Sequence, residues 1–215
     1  MQLRLGEDIH GVMIDGDAVF LDVKADAYFC LPQIGATLEI DGALLSTSEQ
    51  ALADGLCASG LATTDTIAPR RATPAAAPVR TARALISGDD QAAARPAWRH
   101  WRAVGKAAIV AARGRRRAFG RLLPDRTPGA PPPSPDLLRD LAVFRRLAPW
   151  LPLDGLCLYR SHLLRTYLET LGHSVDWMFG VRTWPFRAHC WLQAGDVALD
   201  DEAERVAAYH PIMVR

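Results

Sequence analysis

Long apolar runs, a cysteine framework, metal-ligand spacing and phosphate-binding loops are all missing from this sequence of 215 residues. No stretch approaches the ~20 apolar residues that span a bilayer. The longest candidate, residues 107–112, is far too short, so no membrane span is expected. The chain starts with early acidic residues and no basic-then-apolar pattern, which argues against a secretory signal. Its four cysteines (Cys30, Cys57, Cys157 and Cys190) lack framework spacing and are expected as reduced thiols in a cytoplasm. Neither C-x-x-C nor H-x-x-x-H occurs, which leaves Cys157, His162, His189 and Cys190 a poor zinc set, and no metal is expected. Dinucleotide and P-loop glycine patterns are absent too, and no cofactor is expected. The basic run Arg113, Arg115, Arg116, Arg117 and Arg121 has only Phe119 interleaved. It is read as a solvated helix face or a surface for the acidic start of the chain, with no nucleic-acid partner.

A near-neutral total charge conceals two unlike parts. Residues 1–68 hold eleven acidic and two basic side chains; residues 69–215 hold thirteen acidic and twenty-three basic ones. Such a split points to two units with different surfaces. In the first unit, runs at 9–14, 18–23 and 27–31 alternate like strands, with Asp15-Gly16 as a hairpin turn. A short helix is expected over 34–40. Ser46-Thr47-Ser48-Glu49 has capping-box spacing before a second helix that ends at Gly60. Residues 68–80, with three prolines and no periodicity, read as linker. Helical pattern returns between Pro96 and Leu123, with Trp98, Trp101 and Val104 as its expected apolar face. Six prolines over 124–135 exclude regular structure there, and Asp136 is placed to cap a helix over 137–147. The expected organisation is 1–67 as one domain, 68–94 as linker and 95–215 as a second domain. The fold class is α+β.

The last third carries the chemistry. Cys157 opens a helical pattern that stops at Gly172, and strands at 175–181, 188–193 and 197–199 follow. A thiol attacks as its thiolate, and both a helix N-terminus and a nearby imidazole lower its pKa. His189 lies on the second of these strands, where it can meet the head of a packed helix. A carboxylate must then hold the imidazole by its other nitrogen. A three-residue loop at Ala194-Gly195-Asp196 sets His189 opposite Asp201, whereas a two-residue loop at Ala194-Gly195 sets Asp200 there. A slip of one residue turns every side chain to the other face, so only one of the two acids can serve. The three-residue register, and with it Asp201, is preferred. A lone cysteine is more often inert packing. Cys190 points away from His189 along the strand and is read as core, as are Cys30 and Cys57.

Cys157-Leu158-Tyr159-Arg160-Ser161, together with Phe179-Gly180-Val181-Arg182 through Pro185-Phe186 to Ala188-His189-Cys190-Trp191, resembles the lasso-peptide maturation proteases, which are transglutaminase-like cysteine peptidases. The resemblance covers roughly residues 95–215. It implies a papain- or transglutaminase-like domain, a helix on an antiparallel sheet, with Cys157 as nucleophile, His189 as base and Asp201 as orienting acid. The family often has Asn immediately before that Asp, where this sequence has Asp200. Leu21-Asp22-Val23 through Ala27-Tyr28-Phe29-Cys30-Leu31 resembles the winged-helix-like precursor-recognition domain of peptide-modifying enzymes, a three-stranded antiparallel sheet plus helices. The implied activity is leader removal from a ribosomally made precursor, which frees the core amine for a separate asparagine-synthetase-like, ATP-dependent cyclase. The leader would add as a strand at Tyr28, Phe29, Cys30 and Leu31, flanked by Leu52 and Leu56. The Cys157 N–H would be one oxyanion donor, with Trp150 as a candidate for the second. An acyltransferase on the same fold, or a non-catalytic escort of the precursor, are the alternatives.

Overall fold

The computed structural model describes residues 1–65, 76–124, 128–151 and 157–215. Its N-terminal part is built from strands β1 (Gln2–Leu5), β2 (Ile9–Ile14), β3 (Asp17–Asp22), β4 (Ala27–Leu31), β5 (Leu38–Asp41) and β6 (Leu44–Thr47), helix α1 (Gln50–Ala58) and strand β7 (Ala62–Thr63). The central meander β2-β3-β4 is antiparallel. Its first turn is Asp15-Gly16, both at positive φ (49° and 90°), a conformation that suits the twist of a two-residue hairpin. The remaining strands form a second antiparallel sheet, β5-β6-β1-β7.

The helix expected over 34–40 is instead turn and strand. Asp41-Gly42 is a second hairpin signal, and it folds β5 back on β6 with Asp41 opposite Leu44. The capping box does not form either. Thr47 ends β6, Glu49 is the N-cap with no side-chain cap, and the Thr47 hydroxyl accepts from the Glu49 N–H at 3.2 Å. The helices expected beside the meander therefore reduce to α1 among the described residues.

Part of the segment expected as linker carries structure: β8 (Arg80–Thr81), α2 (Ala82–Leu85) and α3 (Gly88–Ala93). Residues 66–75 of it lie outside the described residues. Then come α4 (Trp98–Gly114), a 3-10 turn at Phe119–Leu122, α5 (Pro135–Leu147), α6 (Cys157–Thr170), β9 (Asp176–Arg182), β10 (Arg187–Ala194), β11 (Val197–Ala198), α7 (Ala203–Val206) and β12 (His210–Val214). A third, five-stranded sheet runs β12-β9-β10-β11-β8, antiparallel except for the β11–β8 pair. Helix α5 starts at Pro135, capped by the Ser134 hydroxyl accepting from Leu137 N–H, two positions before the expected Asp136 cap.

The buried face of α4 keeps Val104 of the expected face but not its tryptophans. Ala103, Ala107 and Ala111 are buried, while Trp98 and Trp101 are exposed. Small side chains at i, i+4 and i+8 let α4 approach α6 closely, and the large rings are left outside. One carboxylate ties these helices together. Asp140 of α5, fully buried, accepts from Arg99 (2.5 Å) and meets His100 Nε2 (3.1 Å) and His173 Nε2 (2.8 Å).

The meander lies between two cores, one within the N-terminal part and one shared with the rest of the chain. Along β3, Ala18 and Phe20 face the β5-β6-β1-β7 sheet and α1, whereas Val19 and Leu21 join Ile14 and Val23 in the cluster built from α4, α5, α6 and the five-stranded sheet. This period-2 division makes the meander a middle layer. Arg215, next to β12, donates to His10 of β2 at 3.1 Å. No helix among the described residues is long and apolar enough to cross a membrane.

Candidate active site

The head of α6 and the exposed flank of β10 meet in a cleft of about 580 Å³. Cys157 is the first residue of α6, and its thiol shares the cleft with the His189 imidazole, close enough for each to shift the other's pKa. His189 Nε2 bonds Asp201 Oδ2 at 2.5 Å, which leaves Nδ1 for the sulfur. Asp201 also accepts from the Glu202 N–H (2.9 Å) and lies 3.6 Å from Arg205. Thus Cys157, His189 and Asp201 come together. Asp200 does not join them; its carboxylate accepts from the Leu192 N–H at 2.8 Å.

The route to that pairing is not the expected one. Gln193 lies opposite Ala198, and Ala194 opposite Val197. The hairpin therefore turns on Gly195-Asp196, one residue later than the two-residue alternative and unlike the three-residue loop. Gly195 has φ +58°, and a Cβ there would sit 3.0 Å from Pro132. In this register the ladder alone would not set Asp201 against His189. The chain bonds once more, Leu199 N–H to Leu192 O, and then bends over 199–201, which carries Asp201 to the imidazole.

The ring is held from its other side as well. Trp191 and Tyr209 lie at centroid distances of 6.3 and 5.3 Å from His189. Gly180 faces His189 across the β9–β10 ladder, and a Cβ there would fall 2.8 Å from the Trp191 ring. Strand alternation does turn Cys190 toward α6 and the core, where its sulfur lies 3.4 Å from Ser161 Oγ. It nevertheless reaches Cys157 with both its thiol and its backbone N–H. The Ser161 hydroxyl accepts from Trp177 Nε1 (2.9 Å) and donates to Cys157 O (2.9 Å), fixing the first turn of α6. Gly180, Trp191, Tyr209 and the Cys157–Cys190 contact were invisible to motif spacing. The in-register pairing of β9 with β10 could have indicated Gly180 and Trp191, whereas Tyr209 and Cys157 come from other elements.

Electrostatics divide the two thiols. The Cys190 thiol, donating to the Cys157 sulfur, acts most strongly to stabilise a Cys157 thiolate. Burial opposes this, and the His189 hydrogen bond and the Cys190 N–H add to it, holding Cys157 down to about 4. The same thiol–thiol bond, followed by burial, pushes Cys190 well above its ordinary range. For His189, burial disfavours the imidazolium, but the bonds to Asp201 and Cys157 outweigh it and raise the ring to about 9. Burial likewise works against the Asp201 carboxylate, and the His189 and Glu202 hydrogen bonds keep it below the usual range. Burial raises Asp200 to about 7, offset in part by the Leu192 N–H. A thiolate beside an imidazolium is the arrangement that permits acyl transfer through sulfur.

The proposed peptide-binding residues are split between faces. β4 is the edge of its sheet, and among the described residues no strand pairs with its outer side. Phe29 and Cys30 are exposed, Leu31 and Leu52 flank the small core, and Leu56 is 3% exposed inside it and presents no surface. Tyr28 faces the other way, against Phe186 at 5.5 Å, and burial, Cys190, Asp26 and Cys157 raise its hydroxyl pKa. Trp184, at the tip of the β9–β10 hairpin, donates to Asp17 Oδ2 at 2.6 Å. Trp150 ends a 3-10 turn with its side chain 84% exposed, and residues 152–156, between it and Cys157, lie outside the described residues. His162 is buried and stacked on Trp177, and burial and Arg165 depress it to about 4.

No curated protein and no solved structure matches the chain. Residues 100–214, just over half of it, match the family described as the transglutaminase-like superfamily. That span holds α6, the whole β9–β10 hairpin and the bend at 199–201, and its fold is compatible with cysteine peptidase or acyltransferase chemistry. From residue 100 onward, helix, sheet and match coincide, and the chain belongs to the transglutaminase-like superfamily.

Proposed function

We propose that the chain is a cysteine peptidase that removes the leader from a ribosomally made lasso-type precursor, with Cys157 as nucleophile, His189 as acid–base and Asp201 as orienting acid. The observation that carries this is the Cys157–His189–Asp201 series at the head of α6. The lasso-protease resemblance of residues 157–161 and 179–191 supplies the substrate class. Cys157 attacks the carbonyl at the leader–core junction, and its own N–H, in the first helical turn, faces the developing oxyanion. His189 Nδ1–H protonates the departing amine, forming a thioester, and water drawn in by the neutral imidazole releases the leader acid. Asp201 holds Nε2 throughout.

The outer edge of β4 supports leader binding by strand addition. A leader held there raises the local concentration of the cleavage site. The freed core amine then passes to the asparagine-synthetase-like cyclase. Incubation with a precursor peptide and mass analysis of the products tests the reading. A free core is expected from the wild type and none from Cys157→Ala; continued cleavage by that variant would overturn it. A product ligated to an added amine would assign acyl transfer instead. Phe29→Ala is expected to weaken precursor binding about tenfold, measured by fluorescence anisotropy.

A further inference from the structure

The periodicities that bring Cys157 and His189 into the cleft bring two arginines with them. Arg160 is three residues beyond Cys157 on α6, hence on the same helical face, with its Cβ about 5–6 Å away. Arg187 is two residues before His189 on β10, hence on the same strand face, about 7 Å along it. Both line the cleft and both are exposed. Neither forms an ion pair with any described residue. The other charged groups of the cleft are already engaged. Arg145 donates to Leu199 O at 3.1 Å, and Arg205 lies 3.6 Å from Asp201. Asp201 is bonded to His189, and Asp200 to Leu192 N–H. Among the described residues, four arginines thus face two carboxylates, and the excess positive charge lies on the same helix and strand faces as Cys157 and His189.

We infer that this cleft selects an acidic peptide, with Arg160 and Arg187 binding carboxylate side chains on residues that flank the scissile bond. The inference rests on the peptidase reading for what the peptide undergoes, but not for the charge it carries. Guanidinium forks match carboxylates in geometry as well as charge. They would also steer an anionic chain into the cleft.

Paired alkylating reagents measure the field directly. The full chain is treated with iodoacetate and, separately, with iodoacetamide, and Cys157 modification is followed by peptide mass spectrometry. Exposed Cys30 serves as reference within the same molecule. Removing a charge about 7 Å away changes the iodoacetate-to-iodoacetamide rate ratio by about two- to threefold at low salt. The ratio at Cys157 is therefore expected to fall about fivefold in Arg160→Gln/Arg187→Gln, with the ratio at Cys30 unmoved. The difference should shrink in salt. Hexaglutamate is expected to protect Cys157 from iodoacetamide better than hexaglutamine in the wild type, and no better in the double variant. An unchanged ratio in the double variant, or equal protection by both peptides, would overturn the inference. Leader cleavage by Cys157→Ala would sink the peptidase reading and leave this ratio untouched, so the two can fail separately.

Discussion

Replacing Asp201 by Asn keeps an oxygen for His189 and removes the charge, which isolates the electrostatic share of the site. His189 rises from 6.5 to about 9 although burial pulls it down. That rise favours the imidazolium by about 3 kcal/mol. Asp201 and Cys157 share the effect, so losing the Asp201 charge is expected to lower His189 by about 1 pH unit or more. The sign is definite. The imidazolium is lost as pH rises through the His189 pKa, so the alkaline limb of kcat/KM moves to lower pH. Above pH 9 the loss in kcat/KM from this shift approaches about tenfold, and at neutral pH it is small. The folded state follows the same pair. Stability from a raised histidine is complete below 6.5 and lost as pH rises through about 9. The stability gap between wild type and Asp201→Asn should therefore close above pH 9.

Two measurements check this: the pH profile of precursor cleavage and an NMR titration of the His189 ring. Asp200→Asn is the control, because Asp200 spends its hydrogen bond on Leu192. An alkaline limb unmoved in Asp201→Asn, or moved further in Asp200→Asn, would refute the assignment of Asp201.

Other perturbations have separate readouts. Cys190→Ala removes the thiol that most favours the Cys157 thiolate; the acid limb of Cys157 alkylation should shift up by about 1 pH unit or more. Asp200→Asn keeps an acceptor for Leu192 and deletes a carboxylate that burial raises from 3.8 to about 7. Such a group loses its stabilising contribution as pH rises through about 7, so the variant should be more stable at pH 8 by about 1 kcal/mol, a modest value because Asp200 still borders the cleft. Asp140→Ala leaves His100, His173 and Arg99 without their shared carboxylate and should cost about 3–5 kcal/mol in denaturant unfolding.

Sequence periodicity carried some elements and not others, for physical reasons. Helix α6 and strands β9 and β10 are legible because Leu164, Tyr167, Leu168 and Leu171 recur at helical spacing before Gly172 and β-branched and aromatic residues follow. The meander was legible through Asp15-Gly16. The β5–β6 hairpin is hidden because Ile34 and Leu38 are spaced as a helical pair, although Leu38 and Ile40 alternate as a strand and Asp41-Gly42 supplies the turn. The face of α4 was misassigned because a hydrophobicity pattern weights tryptophan over alanine, whereas close helix packing wants the small side chain. Local turn rules could not choose the Gly195-Asp196 register, since Pro132, from a distant loop, crowds Gly195. Asp201 reaches His189 through a bend after Leu199 that no pairing rule contains.

The shared core changes how the N-terminal part can be tested. A tethered module would be removable, and loss of precursor affinity on deletion of residues 1–66 would then report binding. Here Val19, Leu21 and Val23 pack with Leu122, Phe179 and Ile212 in one cluster, and Tyr28 lies against Phe186 near both sulfurs. Deletion would uncover that apolar face, and each large side chain exposed costs about 1.5–3 kcal/mol. The truncated chain should aggregate or lose Cys157 reactivity whether or not β4 binds a leader. Substitutions that leave the core intact separate the two effects. Phe29 is 45% exposed on the outer edge, whereas Tyr28 is packed toward the cleft. If β4 binds the leader, Phe29→Ala weakens precursor affinity while Cys157 alkylation stays as in the wild type. If affinity falls only in the deletion and never in Phe29→Ala, the meander acts as a wall of the catalytic unit, and the leader is held elsewhere.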